Sequence, residues 1–233
     1  MLNLKESCHQ LGYKLSTSFP DHHSMVQLAR NEIAHYFLNH STATHLFFID
    51  GDQAFRPIDV FRMLHANVPF IIGPVPKKNY LWPEIQKSVQ KDDPKFYLHG
   101  VDFNINYLDD HYFIDEDTPF QIRHGGTAFM CIRRDVFTDL MAHTPTYTGK
   151  VRDKYVDIYN FFQVQINNET KHILSEDYFF CESYRRIGGG IWCAPWCNVI
   201  HFGPHGFRGD YASRAAIEKE IKDKLYEESI VTP

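Results

Sequence analysis

No run of 18 or more apolar residues occurs in this chain, so no segment reads as a transmembrane helix. Basic residues do not dominate either. With 24 Lys and Arg against 29 Asp and Glu, the formal net charge is −5, which argues against a nucleic-acid-binding footprint. Met1-Leu-Asn-Leu-Lys-Glu has neither the basic nor the apolar region of a signal peptide. Cysteines are few, odd in number and scattered: Cys8, Cys131, Cys181, Cys193 and Cys197. That pattern suits reduced, buried thiols and predicts a soluble cytoplasmic protein rather than a disulfide framework. Cys193 and Cys197 bracket Ala-Pro-Trp, but no further residues suggest themselves as partners for a zinc site. Internal repeats and low-complexity linkers are absent. Aromatics are plentiful, with 19 Phe and 13 Tyr, and the chain is 43% hydrophobic, enough to bury a sizeable core. Its 233 residues fit a single domain with elaborations. The 14 histidines are mostly dispersed, and His22-His23 reads as a polar loop pair.

Helical and strand signals alternate, which predicts an α/β fold. A helix is expected at Leu2 to Leu11. Apolar spacing (Met25, Leu28, Ala29, Ile33, Phe37) predicts another from Met25 to Leu38, with Ser24 as N-cap. His45 to Ile49 is a short apolar strand, and Pro57 suits the start of the next helix. Pro69 to Pro76 reads as a second buried strand. Residues from about 79 to 118 read as a loop-rich, acidic insertion with small strands, carrying turn signals at Asp92-Asp93-Pro94 and Asp109-Asp110. Gly125 to Ile132 is expected as a strand feeding a helix from Arg134 to Ala142. Phe161 to Ile166 and His172 to Leu174 flank a plausible hairpin turn. Ser175 opens a helix ending near Gly188-Gly189-Gly190. Ile191 to Pro195 and Asn198 to Phe202 read as short strands, and a charged amphipathic helix is expected over 211–229.

The most informative stretch is His45-Leu-Phe-Phe-Ile-Asp50-Gly-Asp52. Side chains two apart on an extended segment share a side. Asp50 and Asp52 are therefore expected to converge just beyond the strand's C-terminal end, where open α/β sheets bind ligands. Two carboxylates there, with Gly51 admitting close backbone approach, suit a divalent cation shared with a phosphate. A strand followed by an Asp-Gly turn accounts for the same residues without a ligand. Three other clusters could carry chemistry. Ser175-Glu176-Asp177 places carboxylates at a helix start, either as a general base or simply to complement the helix dipole. His201 ends a short strand and could complete an oxygen/nitrogen shell for Mn²⁺, or be a satisfied structural histidine. His124-Gly125-Gly126-Thr127 permits close backbone approach or makes a plain turn. Lys77-Lys78 could pair with phosphates or lie solvated.

In order and separation these clusters resemble the GT-A glycosyltransferases, the nucleotide-sugar-dependent family with an Asp-x-Asp motif. The resemblance covers roughly residues 24 to 210. It runs from Leu28-Ala29-Arg30-Asn31 through Phe47-Phe-Ile-Asp50-Gly-Asp52, Gly126-Thr-Ala-Phe-Met-Cys-Ile-Arg133 and Ser175-Glu-Asp177-Tyr-Phe-Phe-Cys to His201-Phe-Gly203. It implies a single Rossmann-like GT-A sandwich, a mixed central sheet flanked by helices. It also implies Mn²⁺ or Mg²⁺ held by Asp52 and His201, with Asp50 on the ribose or the metal's water shell. Arg30 would lie near the nucleotide, and Gly126 and Thr127 would border the donor sugar; apart from the resemblance, Lys77 is the lysine of its pair expected to meet phosphates. Asp177 would deprotonate the acceptor hydroxyl, with Glu176 turned toward acceptor or donor sugar.

The implied reaction moves a hexosyl or deoxyhexosyl group from a nucleotide diphosphate sugar, UDP favoured, to a glycan or other hydroxyl acceptor. A base acting directly on the acceptor implies inversion. The family normally opens with a strand and loop that cradle the base, whereas this chain opens with the Leu2 to Leu11 helix. Base recognition is therefore expected from a longer chain, from an open site, or from a segment such as Ser16 to Ser24. Two other classes fit in part. A haloacid-dehalogenase-type phosphohydrolase also places Asp-x-Asp after an apolar strand, but Ala54-Phe55 stands where that motif continues with Thr or Val. A non-catalytic module binding a nucleotide sugar would need the same residues without turnover.

Overall fold

The computed structural model describes residues 2–19, 24–98, 100–108, 115–151, 153–168 and 170–216, together with 219 and 223. His22-His23, Asp109-Asp110 and most of the helix expected beyond 216 lie outside them. The helices are α1 (Leu2–Gln10), α2 (Val26–His40), α3 (Pro57–His65), α4 (Trp82–Gln90), α5 (Arg134–Met141) and α6 (Glu176–Arg186), with a 3-10 turn at Phe96–Leu98. The strands in the first half are β1 (His45–Ile49), β2 (Gln53–Ala54), β3 (Phe70–Ile72), β4 (Ile105–Tyr107), β5 (Phe120–Gly125) and β6 (Phe129–Arg133). There follow β7 (Thr146–Val151), β8 (Lys154–Tyr159), β9 (Gln165–Ile166), β10 (Ile173–Leu174), β11 (Ile191–Cys193), β12 (Ile200–Phe202) and β13 (Gly206–Phe207).

A six-stranded mixed sheet, ordered β1-β6-β3-β11-β5-β4, forms the centre. The β3–β11 pair is parallel and the other neighbours are antiparallel. The alternation of strand side chains divides the core in two. Phe70, Ile72, Met130 and Ile132 face a cluster shared with Ala34 and Phe37 of α2, Phe137 of α5 and Phe180 of α6. Ile71, Phe129 and Cys131 face the opposite cluster, with Leu4 of α1 and Val60 and Met63 of α3. Helices therefore cover both faces. β3, an uninterrupted apolar run, lies inside the sheet, as a strand buried on both faces must. β1 lies at the sheet's edge.

This core positions the chemistry-bearing ends. Phe180 stacks on Phe162 with centroids 4.5 Å apart and also contacts the rings of Phe70 and Phe137. Its burial contributes about 2 kcal/mol, more than a half-exposed ion pair supplies. Packing, rather than charge, fixes where α6 begins.

Several expectations need correction. Met25, not Ser24, caps α2, and no side-chain hydrogen bond closes that cap. The 79–118 stretch is more than a loop-rich insertion. Trp82, Ile85 and Val89 recur at helical spacing, with Pro83 in the first turn, and lie on α4, while β4 joins the central sheet. The strand expected over Gly125 to Ile132 is broken between β5 and β6, which take different neighbours. At that break a Cβ on Gly126 would fall 2.4 Å from Asn104 Nδ2, so a larger residue there would have to push the Asn104 side chain aside. Residues 161–164 are not strand, whereas Gln165–Ile166 and Ile173–Leu174 do pair. The β7–β8 hairpin had no clear turn signal in the sequence.

Candidate functional site

After Ile49 the chain leaves β1 in a turn, closed by Gln53 N–H donating to the Asp50 carbonyl at 3.2 Å. The two aspartates therefore do not share one face of an extended segment, and they take different partners. Asp50 accepts from Arg30 Nη2 at 3.4 Å. Asp52 accepts from Lys78 Nζ at 2.6 Å and from Gln53 Nε2 at 3.1 Å.

The turn continues into β2, which pairs antiparallel with β12 in the register His201↔Gln53. Phe202 N–H adds a bond to the Asp52 carbonyl at 2.8 Å. Two short strands thus carry His201 to Asp52 across nearly 150 residues of sequence, a placement no local pattern announces. His201 Nδ1 donates to the Pro76 carbonyl at 2.8 Å. Nε2 lies 3.3 Å from Asp52 Oδ2: a protonated ring donates to that oxygen, and a neutral ring with its proton on Nδ1 turns a lone pair to it. In the neutral form the pair presents two acceptors at a spacing that suits a shared cation, since cis ligands at ordinary metal–ligand distances lie roughly 3 Å apart.

A carboxylate oxygen and an imidazole nitrogen oriented by a backbone carbonyl form a donor set suited to Mn²⁺. Gln53 Oε1, on the residue next to Asp52, is buried with no hydrogen-bond partner among the described residues. Partial burial works to raise the Asp52 carboxyl, but Lys78 and His201 outweigh it and hold the group below its ordinary value. The residues fit a divalent cation with two protein ligands. Among the described residues no group of three or more His, Cys, Asp or Glu could hold one, so further ligands would have to be diphosphate oxygens or water.

Arg30 links this turn to the start of α6. It is buried on α2 and donates to Asp50 and, through Nη1, to Glu176 Oε1. Burial, reinforced by Asp177, raises the Glu176 carboxyl above its usual range, with Arg30 opposing. Asp177 is buried and accepts at Oδ1 from the Ser175 hydroxyl and, at 2.8 Å, from Tyr178 N–H. Both bonds fall on one oxygen, and Oδ2 has no hydrogen-bond partner among the described residues.

The other expected site residues are distributed unevenly. Lys77 turns away: its ammonium meets Asp102 Oδ2 at 2.6 Å and its backbone N–H the Asp102 carbonyl. Lys78 is the lysine at the Asp52 site. Gly126 and Thr127 are both buried. The Asn104 side chain lies over Gly126, its Oδ1 fixed by the Tyr178 hydroxyl at 2.6 Å. His124 is structurally satisfied, with Nε2 donating to Glu182 at 2.7 Å and Nδ1 accepting from Asn106. Burial lowers its pKa despite Glu182.

Asn31 was legible only as part of a motif, and its role is packing. Fully buried, it donates to Asn160 and the Phe162 carbonyl and accepts from Phe162 N–H at 2.8 Å, clamping that segment to α2. Gln53, Asn104 and Tyr178 carried no separate signal in the sequence.

No protein-family model matches this chain, and no curated protein sequence matches it. Among solved structures it is similar to the crystal structure of A197 from STIV, with 14% identity, 87% of this chain and 79% of that chain covered, and a TM-score of 0.43. At that level the likeness assigns neither a fold family nor an activity. Among the described residues no helix is long and apolar enough to cross a membrane. The chain is a mixed α/β protein whose separated polar motifs meet at the C-terminal end of β1.

Proposed function

We propose that the chain is a metal-dependent glycosyltransferase of the GT-A type, moving a sugar from a nucleotide diphosphate sugar to a hydroxyl acceptor with inversion. UDP is the favoured nucleotide. The observation that supports this reading is the Arg30 bridge, which touches Asp50, two residues before Asp52, and Glu176, the neighbour of Asp177. A cation-binding pair beside a carboxylate with one unused oxygen is what single displacement at a sugar carbon needs.

Asp52 and His201 would hold Mn²⁺ or Mg²⁺, which when bound offsets the charge developing on the diphosphate. Asp177 Oδ2 takes the proton of the acceptor hydroxyl as that oxygen bonds to the anomeric carbon. The bond from that carbon to the diphosphate oxygen breaks, and its electron pair leaves with the diphosphate. Ser175 and Tyr178 N–H hold Oδ1 throughout, so the carboxylate needs no reorientation to act. Arg30 keeps Glu176 and Asp50 in register beneath the reacting groups.

Calorimetry with UDP, with and without Mn²⁺, tests the reading. Binding is expected to require the metal and to be lost in Asp52→Ala. His201→Ala should weaken metal binding less, because a neutral ligand contributes no charge. Metal-independent UDP binding that Asp52→Ala leaves unchanged would overturn the proposal.

A further inference from the structure

Lys77 and Lys78 are adjacent in sequence yet fixed in different ways. Lys77 is held at both backbone and side chain by Asp102. Lys78 reaches across to Asp52, placing Nζ 2.6 Å from Oδ2, the same oxygen that lies 3.3 Å from His201 Nε2. Its stem passes over Gly203, where an added Cβ would stand 3.2 Å from Lys78 Cδ. The glycine thus keeps open the path along which the lysine lies. An ammonium group has three donors. One of them is used here, and the other two have no partner among the described residues.

We propose that Lys78 is an exchangeable counter-ion, competing with a divalent cation for Asp52 Oδ2 and, when displaced, binding the donor's diphosphate. This rests on the reading of the site given above. Two cations cannot crowd one carboxylate oxygen without strong mutual repulsion. The Lys78–Asp52 pair is also the kind that exchanges easily. Its side chains are 37% and 42% exposed, against 7% and 13% for Arg30 and Glu176. A half-exposed ion pair is weak and screened by water, whereas a buried one is not. A displaced Lys78 remains tethered beside the cation by a flexible four-carbon stem with three donors, a form suited to phosphate oxygens.

Mn²⁺ binding without nucleotide, followed by electron paramagnetic resonance of the free ion, reads the competition directly. Lys78→Met is expected to bind Mn²⁺ about tenfold more tightly than the unmodified protein. At saturating Mn²⁺ the same variant should bind UDP about tenfold more weakly by calorimetry, having lost a charge-assisted phosphate contact. Lys78→Arg should retain most of the UDP affinity. Unchanged or weaker Mn²⁺ binding by a folded Lys78→Met would overturn the exchange, and unchanged UDP binding would overturn the diphosphate contact. Asp52→Ala in the same Mn²⁺ titration separates the two levels. Its loss of Mn²⁺ binding, alongside an unaltered Lys78→Met, sinks the exchange alone. Mn²⁺ binding that survives Asp52→Ala sinks the metal site and the exchange with it.

Discussion

Asp52 and Asp177, the two aspartates to which the proposed reaction gives separate roles, are held in opposite ways. Asp52 sits on a turn between two-residue and five-residue strands, half exposed, with Lys78, Gln53 and His201 as partners that a ligand can replace. Asp177 sits at the start of an 11-residue helix anchored by Phe180, buried, with both donors supplied by residues within two positions of it. The first arrangement leaves charge available for exchange. The second leaves a single oxygen available and fixes the rest. Binding needs partners that let go, while proton transfer at a fixed distance needs partners that do not.

The sharpest way to break that contrast is Asp177→Asn. The amide keeps the helix-start geometry but cannot take a proton, so turnover should fall by roughly 10²-fold or more. UDP binding in Mn²⁺ should stay nearly unchanged, the converse of Asp52→Ala. Steady-state kinetics paired with calorimetry would check both halves. Normal turnover together with a lowered melting temperature would mean that Asp177 only caps its helix.

The same contrast explains what could be read from the sequence. β1, the Pro57 helix and the helix after Ser175 were legible because apolar spacing and end signals agree there. The alternation gave the α/β class, whereas the mixed sheet was implied only by the family resemblance. The pairing of β2 with β12 was not legible, since two- and three-residue strands carry no period, and it is this pairing that seats His201. Neither was the choice of Lys78 over Lys77, because adjacent lysines differ only in where a packed backbone aims them. Asp50 and Asp52 were misjudged in direction because the extended geometry assumed for them ends at Ile49.

A smaller effect should distinguish the buried half by its pH dependence. The Glu176 carboxyl is raised by burial and by Asp177, more than Arg30 lowers it. The folded protein then holds this proton more tightly than the unfolded chain. The group's contribution to stability is fully present below the unfolded value, 4.5, and is lost as pH rises through the raised folded one. Glu176→Gln cannot titrate and escapes that loss. Its melting temperature relative to the unmodified protein should therefore climb as pH increases from about 4 to 7. A difference that stays constant over that range would remove Glu176 from the buried charge network.

The smallest expected effect concerns the nucleotide base. β1 is an edge strand of the central sheet, and described residues 14–19 ahead of it are exposed rather than packed across the site. Leu15 and Phe19 in that stretch are exposed, so residues 14–19 do not form a packed base pocket. The affinity of a bound nucleotide should then come mainly from the diphosphate, through the Asp52 side of the site. UDP, GDP and dTDP compared at one Mn²⁺ concentration are expected to agree within about tenfold, or 1.4 kcal/mol. Rejecting a wrong base strongly requires buried polar groups that the wrong base leaves unpaired, and exposed residues cannot supply that penalty. A preference of a thousandfold or more would show that a segment such as Ser16 to Ser24 folds over the base when nucleotide binds. The exposed side would then be as preorganised on ligand binding as the Asp177 side already is.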